Sequence, residues 1–315
     1  MSPVANILEL IGNTPTVDIS ALSPNPRVSL IVKLEGQNPG GSIKDRVALS
    51  MVDALEKQGV LRPGATIMEP TSGNTGISLA LIARVRGYRL IAVMADNTSA
   101  ERRGLLESLG AEIISTPGDE GSNGAVRCAE KLAAENPDWV FPYQYANPAN
   151  PEAHYAGTGP EIWSDTPELT HLVAGLGTGG TLVGAGRFLK EQNPEVQLWA
   201  VEPPAGEMVA GLRNMDDGYV PAVFTDGGGP ELLDRRLIIG PARSVEWSRL
   251  LVEHGILAGL STGAALAGAV KCATEIDEGV IVVISADGIW KYLSSGAWGD
   301  DPNAAADRLG KTVYF

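Results

Sequence analysis

Short, continuously apolar runs alternate along this chain with segments of helical length. Val28 to Leu34, Arg89 to Met94, Leu172 to Ala174, Val196 to Val201, Leu237 to Ile239 and Val280 to Ile284 read as buried strands, and Thr66 to Glu69 reads as another. Strands that stay apolar, instead of alternating with polar residues, belong to a parallel sheet covered on both faces. Helix-length segments between many of them supply the cover, so the fold class is α/β. Past Ser42, Ile43, Val47, Met51 and Leu55 recur every four residues and form the apolar stripe of a helix; Lys44, Ala48 and Val52 form the adjacent stripe. Further helices are expected over Ile77 to Val85 and Leu182 to Lys190. Prolines and asparagines interrupt regular structure from Gln144 to Pro151, the expected boundary between two lobes. Asp226 to Pro230 is a flexible turn without assigned chemistry.

Composition narrows the class. With 315 residues and 44% hydrophobic content, the chain can bury a large core, and its length fits about two lobes. No apolar run approaches the roughly 18 residues that span a bilayer, and Met1 to Leu10 lacks the blocks of a signal peptide, so a cytoplasmic protein is expected. Cys128 and Cys272 are far apart, which indicates neither a disulfide framework nor a zinc cluster. His154, His171 and His254 lack metal-ligand spacing, so no metal is expected. The net charge of −14 argues against nucleic acid and anionic membranes as partners, while leaving room for one small anionic substrate.

Candidate chemistry begins with Lys44. It borders the packed stripe of its helix, where partial desolvation lowers an amine's pKa and makes it nucleophilic, as a Schiff-base lysine requires. Taken alone, it reads better as a solvated lysine paired with Asp45 or a neighbouring helix, the commoner situation. Thr71-Ser72-Gly73-Asn74-Thr75-Gly76 lies between a strand and an apolar helix and offers more hydroxyl and amide groups than a helix cap needs. Gly175-Leu176-Gly177-Thr178-Gly179-Gly180-Thr181 follows another strand and opens another helix, a second anion cradle. This loop also fits G-x-G-x-x-G, and Glu202 follows about twenty residues on, as a dinucleotide site requires. From this half of the chain a nicotinamide cofactor and a phosphate-bearing cofactor remain equal readings.

Taken together, Gly41-Ser42-Ile43-Lys44-Asp45-Arg46, Thr71 to Gly76, Gln144 to Asn150, Gly177 to Thr181 and Gly259-Leu260-Ser261-Thr262-Gly263 resemble the cysteine synthase family of pyridoxal-phosphate enzymes. Their order and spacing match over nearly the whole chain, which outweighs the dinucleotide reading. The resemblance implies a fold type II enzyme with two lobes, each a mostly parallel sheet flanked by helices. The smaller N-terminal lobe would span residues 36–146, and the larger lobe residues 1–35 and 147–315. Lys44 would hold pyridoxal 5'-phosphate as a Schiff base, and Gly177, Thr178, Gly179, Gly180 and Thr181 would hold its phosphate. Asn74 would hydrogen-bond the 3' oxygen. Ser261 would face the pyridine nitrogen, where a neutral hydroxyl favours elimination over transamination; Asp287 is the competing candidate. Thr71, Ser72, Thr75 and Gln144 would bind the substrate carboxylate. Lys44 would then act as base, an α-aminoacrylate would form, and attack by a sulfur nucleophile would give L-cysteine.

Within the family, Gly206 to Asp216 most resembles the branch that uses O-phospho-L-serine, with Arg213 offering a planar fork of donors for phosphate. The alternative for Arg213 is an ion pair with Asp216 or Asp217. Asn97 to Arg103, Tyr143 to Asn150 and Trp290 to Ser294 resemble the same branch, whose members take sulfur from a small thiocarboxylated carrier protein. Val313 to Phe315 would form a tail over the active site. A homodimer is expected from the family and from the prevalence of two-fold oligomers. The other readings are an O-acetylserine sulfhydrylase or cystathionine β-synthase-like enzyme, and a silent relative acting as a binding partner.

Overall fold

The apolar runs become strands of two sheets, inner ones except for those at Thr66 and Leu237, which fall at sheet edges. A computed structural model describes residues 3–71, 73–299 and 301–312. In chain order the strands are β1 (Thr16–Asp18), β2 (Val28–Leu34), β3 (Thr66–Pro70), β4 (Arg89–Ala95), β5 (Glu112–Thr116), β6 (His171–Gly175), β7 (Gln197–Glu202), β8 (Arg235–Ile238) and β9 (Gly279–Ser285). One sheet has the order β1-β2-β9-β6-β7-β8 and the other β3-β4-β5. Every pairing is parallel except β1 with β2, where β1 forms an antiparallel edge. The fold is therefore α/β, with two sheets dominated by parallel pairs.

Helices cover both faces, because successive strand residues point to opposite sides. In β6, Val173 joins a cluster with Val201, Val283, Ala265 and Leu266, the last two from the helix Leu260–Glu275. Its neighbours Leu172 and Ala174 join the opposite cluster with Leu182, Val183 and Leu189 of the helix Gly180–Gln192. The smaller sheet repeats the scheme. Ile67, Ala92 and Met94 pack on Leu79, Ile82 and Ala83 of the helix Asn74–Arg86, while Met68, Ile91 and Val93 pack on Ala125 and Ala129 of the helix Gly121–Glu135.

The two sheets come together at the carboxyl ends of their strands. The loop after β3 leads into the helix Asn74–Arg86, and the loop after β6 leads into the helix Gly180–Gln192. The segment after β9 bridges Ser42 through Asp287, while Ile43 N donates to Ala286 O at 2.8 Å. Ligands of open parallel sheets sit at such strand ends.

Candidate active site

Lys44 opens the helix Lys44–Lys57, and its side chain enters a cleft also lined by Gly177, Thr178, Gly211 and Ser261. Burial lowers the pKa of its amine, and the nearby Asp287 carboxylate opposes that effect. The alternative pairing of Lys44 with Asp45 does not describe this site. Asp45 is fully buried and turned away, accepting from Gly40 N at 2.5 Å and from the Ser78 hydroxyl.

The loop after β3 divides its polar groups between structure and cleft. Thr71 Oγ1 accepts from Gly73 N at 3.3 Å and Gly76 N at 3.0 Å, so this hydroxyl does the work of a cap. Thr75 Oγ1 donates to Gln144 Oε1 at 2.7 Å. Thr71, Asn74, Thr75 and Gln144 all line the cleft beside Lys44. Ser72 lies outside the described residues, as do Val313, Tyr314 and Phe315 of the expected tail.

Gln144 is held from below by Glu69, a residue the sequence did not single out. Glu69 Oε1 accepts from Gln144 N at 2.9 Å and Oε2 from Tyr143 N at 2.8 Å. Tyr143 adopts a φ of 53°, a left-handed conformation costly for a bulky residue, and the carboxylate fastens it there. Burial without a counter-charge pushes the Glu69 carboxyl up to about 7, against the pull of the two backbone N–H groups.

The second glycine loop delivers its residues to the start of the helix Gly180–Gln192. Gly177, Thr178, Gly179 and Thr181 line the cleft on the Lys44 side, where free N–H groups at a helix start favour an anion. Gly179 has a φ of 86°, and a Cβ at Gly177 would stand 2.7 Å from Gly211 O, so side chains are excluded from both positions. Gly180 packs instead against Asn150, whose Nδ2 reaches Thr178 Oγ1 at 3.1 Å and Gln144 O at 2.9 Å. Asn150 thus ties the anion loop to the Gln144 loop. The dinucleotide reading fails on Glu202, which is fully buried and accepts from Met215 N at 2.8 Å and Arg236 Nε at 2.6 Å. Its carboxylate is committed to holding the chain.

Ser261, buried at the start of the helix Leu260–Glu275, faces the same cleft. Asp287, its competitor in the sequence, uses Oδ2 to accept from Asn74 Nδ2 and the Tyr292 hydroxyl, each at 2.7 Å. Arg213 lines the same cleft, with its guanidinium carbon 5.2 Å from the Tyr145 ring centre and 5.9 Å from that of Tyr219. Of the two acidic residues near it in sequence, Asp216 pairs with Arg236 at 2.7 Å, and Asp217 Oδ2 accepts from Gly206 N at 2.7 Å.

Sequence reasoning also passed over Lys291 as a site residue. It is fully buried, and its Nζ donates to Asn74 Oδ1 at 2.8 Å and to Gly40 O at 3.0 Å. No local spacing signals a lysine whose partners are more than 200 residues away. Among the described residues no group of three or more His, Cys, Asp or Glu could hold a metal ion, and no helix is long and apolar enough to cross a membrane.

These groups fit pyridoxal phosphate. A primary amine, an amide-lined helix start, a side-chain amide and a buried hydroxyl border one cleft, with glycine backbone where side chains would obstruct it. The family model described as "Pyridoxal-phosphate dependent enzyme" matches residues 7–287. Cysteine synthase B of Pseudomonas aeruginosa is 42% identical over 93% of this chain and 97% of its own length. Cysteine synthase of Staphylococcus aureus is 40% identical over 95% of this chain and 98% of its own. The crystal structure of an O-ureido-L-serine synthase superposes with a TM-score of 0.87 at 38% identity, covering 93% of this chain and 94% of that one. The chain belongs to the pyridoxal-phosphate dependent enzyme family, as a cysteine synthase-type enzyme that uses this cofactor to replace a group at Cβ of an amino acid.

Proposed function

We propose that this enzyme makes L-cysteine from O-phospho-L-serine and a sulfur donor, either sulfide or the thiocarboxylated end of a small carrier protein. The observation that carries the choice of substrate is Arg213. It is a guanidinium set against two tyrosine rings in the cleft that Lys44 also lines, within which the substrate's β substituent would lie. A planar fork of donors suits a phosphate dianion, whereas an acetyl ester has no need of a cation there.

Each side chain has a part in this reading. The start of the helix Gly180–Gln192, with Thr178 and Thr181, would hold the cofactor phosphate. Asn74 would donate to its 3' oxygen, and Ser261 would face the pyridine nitrogen. Pyridoxal phosphate supplies an electron sink for the bonds at Cα. The Thr71 hydroxyl, the Thr75 backbone N–H and the side-chain N–H₂ of Gln144 would bind the substrate carboxylate and hold the Cα–H bond toward Lys44. Lys44 Nζ takes the Cα proton, the Cβ–O bond breaks, and phosphate leaves toward Arg213. A sulfur nucleophile then forms the new bond at Cβ, and the proton returns to Cα. The lowered amine pKa of Lys44 suits a base that must be neutral before it acts.

The test is steady-state kinetics with sulfide, comparing O-phospho-L-serine and O-acetyl-L-serine in wild type and Arg213→Ala. Wild type should prefer phosphoserine in kcat/KM. Arg213→Ala should lose roughly 30-fold on phosphoserine, the size of a charge-assisted contact, with acetylserine changed less than about threefold. Preference of the wild type for acetylserine, or an equal loss on both substrates, would overturn the proposal.

A further inference from the structure

Asn74 can donate to an oxygen in the cleft only if its amide lies one way round. A half-turn about its last side-chain bond exchanges the N–H₂ for the carbonyl. Two neighbours oppose that half-turn, one at each end of the amide. Asp287 Oδ2, an acceptor, sits 2.7 Å from Nδ2, and Lys291 Nζ, a donor, sits 2.8 Å from Oδ1. Rotation would set carbonyl against carboxylate and N–H₂ against ammonium. With one Nδ2 hydrogen given to Asp287, the second remains for the cleft that Asn74 lines.

Lys291 is built for this task. Its side chain is fully buried and stretched between Gly40 O at 3.0 Å and Asn74 Oδ1. Tyr292, the next residue, donates its hydroxyl to the same Asp287 oxygen that takes Asn74 Nδ2. The segment after β9 thereby grips the amide from both ends. Burial pulls the Lys291 amine down to about 8, with Asp287 and Asp45 acting to raise it and Arg102 to lower it. At neutral pH it is still mostly the ammonium, which donates and cannot accept.

We infer that Lys291 is a positioning residue for the cofactor: its ammonium anchors and polarises the Asn74 amide so that an Nδ2–H faces the 3' oxygen of pyridoxal phosphate. This rests on the contact between Asn74 and the 3' oxygen proposed above. A hydrogen bond to the carbonyl end of an amide strengthens the donor at the other end, so the cation also acts through Asn74.

Apoprotein titration with pyridoxal phosphate and with its 3-deoxy analogue, which lacks that oxygen, separates the two ideas. Wild type should bind the parent compound more tightly than the analogue, and Lys291→Met should reduce that ratio by about three- to tenfold while analogue affinity stays near wild type. Lys291→Arg, which keeps donors at the end of a long side chain, should retain most of the ratio, and it decides the matter if Lys291→Met does not fold. A wild type that does not distinguish the two compounds would overturn the Asn74 contact and the inference with it. A wild type that distinguishes them, beside a folded Lys291→Met with an unchanged ratio or with equal losses on both compounds, would overturn the role of Lys291 alone. A folded Lys291→Arg that loses the ratio would do the same.

Discussion

Glu69 sits under the substrate side of the cleft without taking part in the chemistry, and its protonation is tied to folding. Its carboxyl is raised to about 7 by burial, from an ordinary value of 4.5. Between those two values the folded chain holds a proton that the unfolded chain releases, so stability falls as pH rises through this window. Relative to Glu69→Gln, the wild type should lose up to about 1.4 kcal/mol of unfolding free energy per pH unit from roughly pH 4.5 to 7. Urea denaturation of both proteins across that range measures it, and a pH-independent difference would contradict the account. The residues legible from sequence were those with a local signal. Lys44 borders an apolar stripe, and the two anion loops stand between a strand and a helix. Glu69 and Lys291 carry no such signal, because the chain folds their partners in from 74 to 251 residues away.

At the scale of elements, the continuous apolar runs gave the inner strands to within a residue or two, since burial on both faces leaves no polar positions. Two strands escaped. β5 has the sequence Glu112-Ile113-Ile114-Ser115-Thr116 at the edge of its sheet, with Glu112 and Ser115 exposed, and β1 is only three residues long. The second glycine loop was ambiguous for a physical reason: a helix start holds a pyrophosphate and a single phosphate alike. The other motifs in register outweighed the dinucleotide reading, and Glu202, whose burial and partners depend on the fold, excludes it in the structure. The seating of the anion-loop helix was equally invisible. A Cβ at Gly184 would stand 2.0 Å from Pro151 O, so the helix Gly180–Gln192 lies in backbone contact with the segment Ala149–Ala153. Gly184→Ala should force the two apart, cost about 1–3 kcal/mol in chemical denaturation and weaken apoprotein affinity for pyridoxal phosphate. Wild-type stability and affinity in this variant would show that the close seating is unimportant.

Across the whole molecule, the helix that begins at Lys44 is fixed by charges drawn from distant segments. Arg46 pairs with Glu35 at 2.7 Å and Glu161 at 2.6 Å, and Lys33 of β2 pairs with Glu161 at 2.9 Å. Buried pairs of this kind set position more dependably than they add stability. They lock the first turns of that helix against β2 and the helix Gly159–Asp165, and so aim Lys44 into the space between the sheets. We propose that, of Lys33, Lys44 and Lys291, it is Lys44 that would carry the cofactor. Lys33 is committed to Glu161 and Asp165, and Lys291 to Gly40 and Asn74. Reduction of the purified holoenzyme with borohydride, followed by digestion and mass spectrometry, tests this directly. The phosphopyridoxyl mass should appear on the peptide containing Lys44 and be absent from Lys44→Ala; its appearance on the peptides of Lys291 or Lys33 would contradict the account.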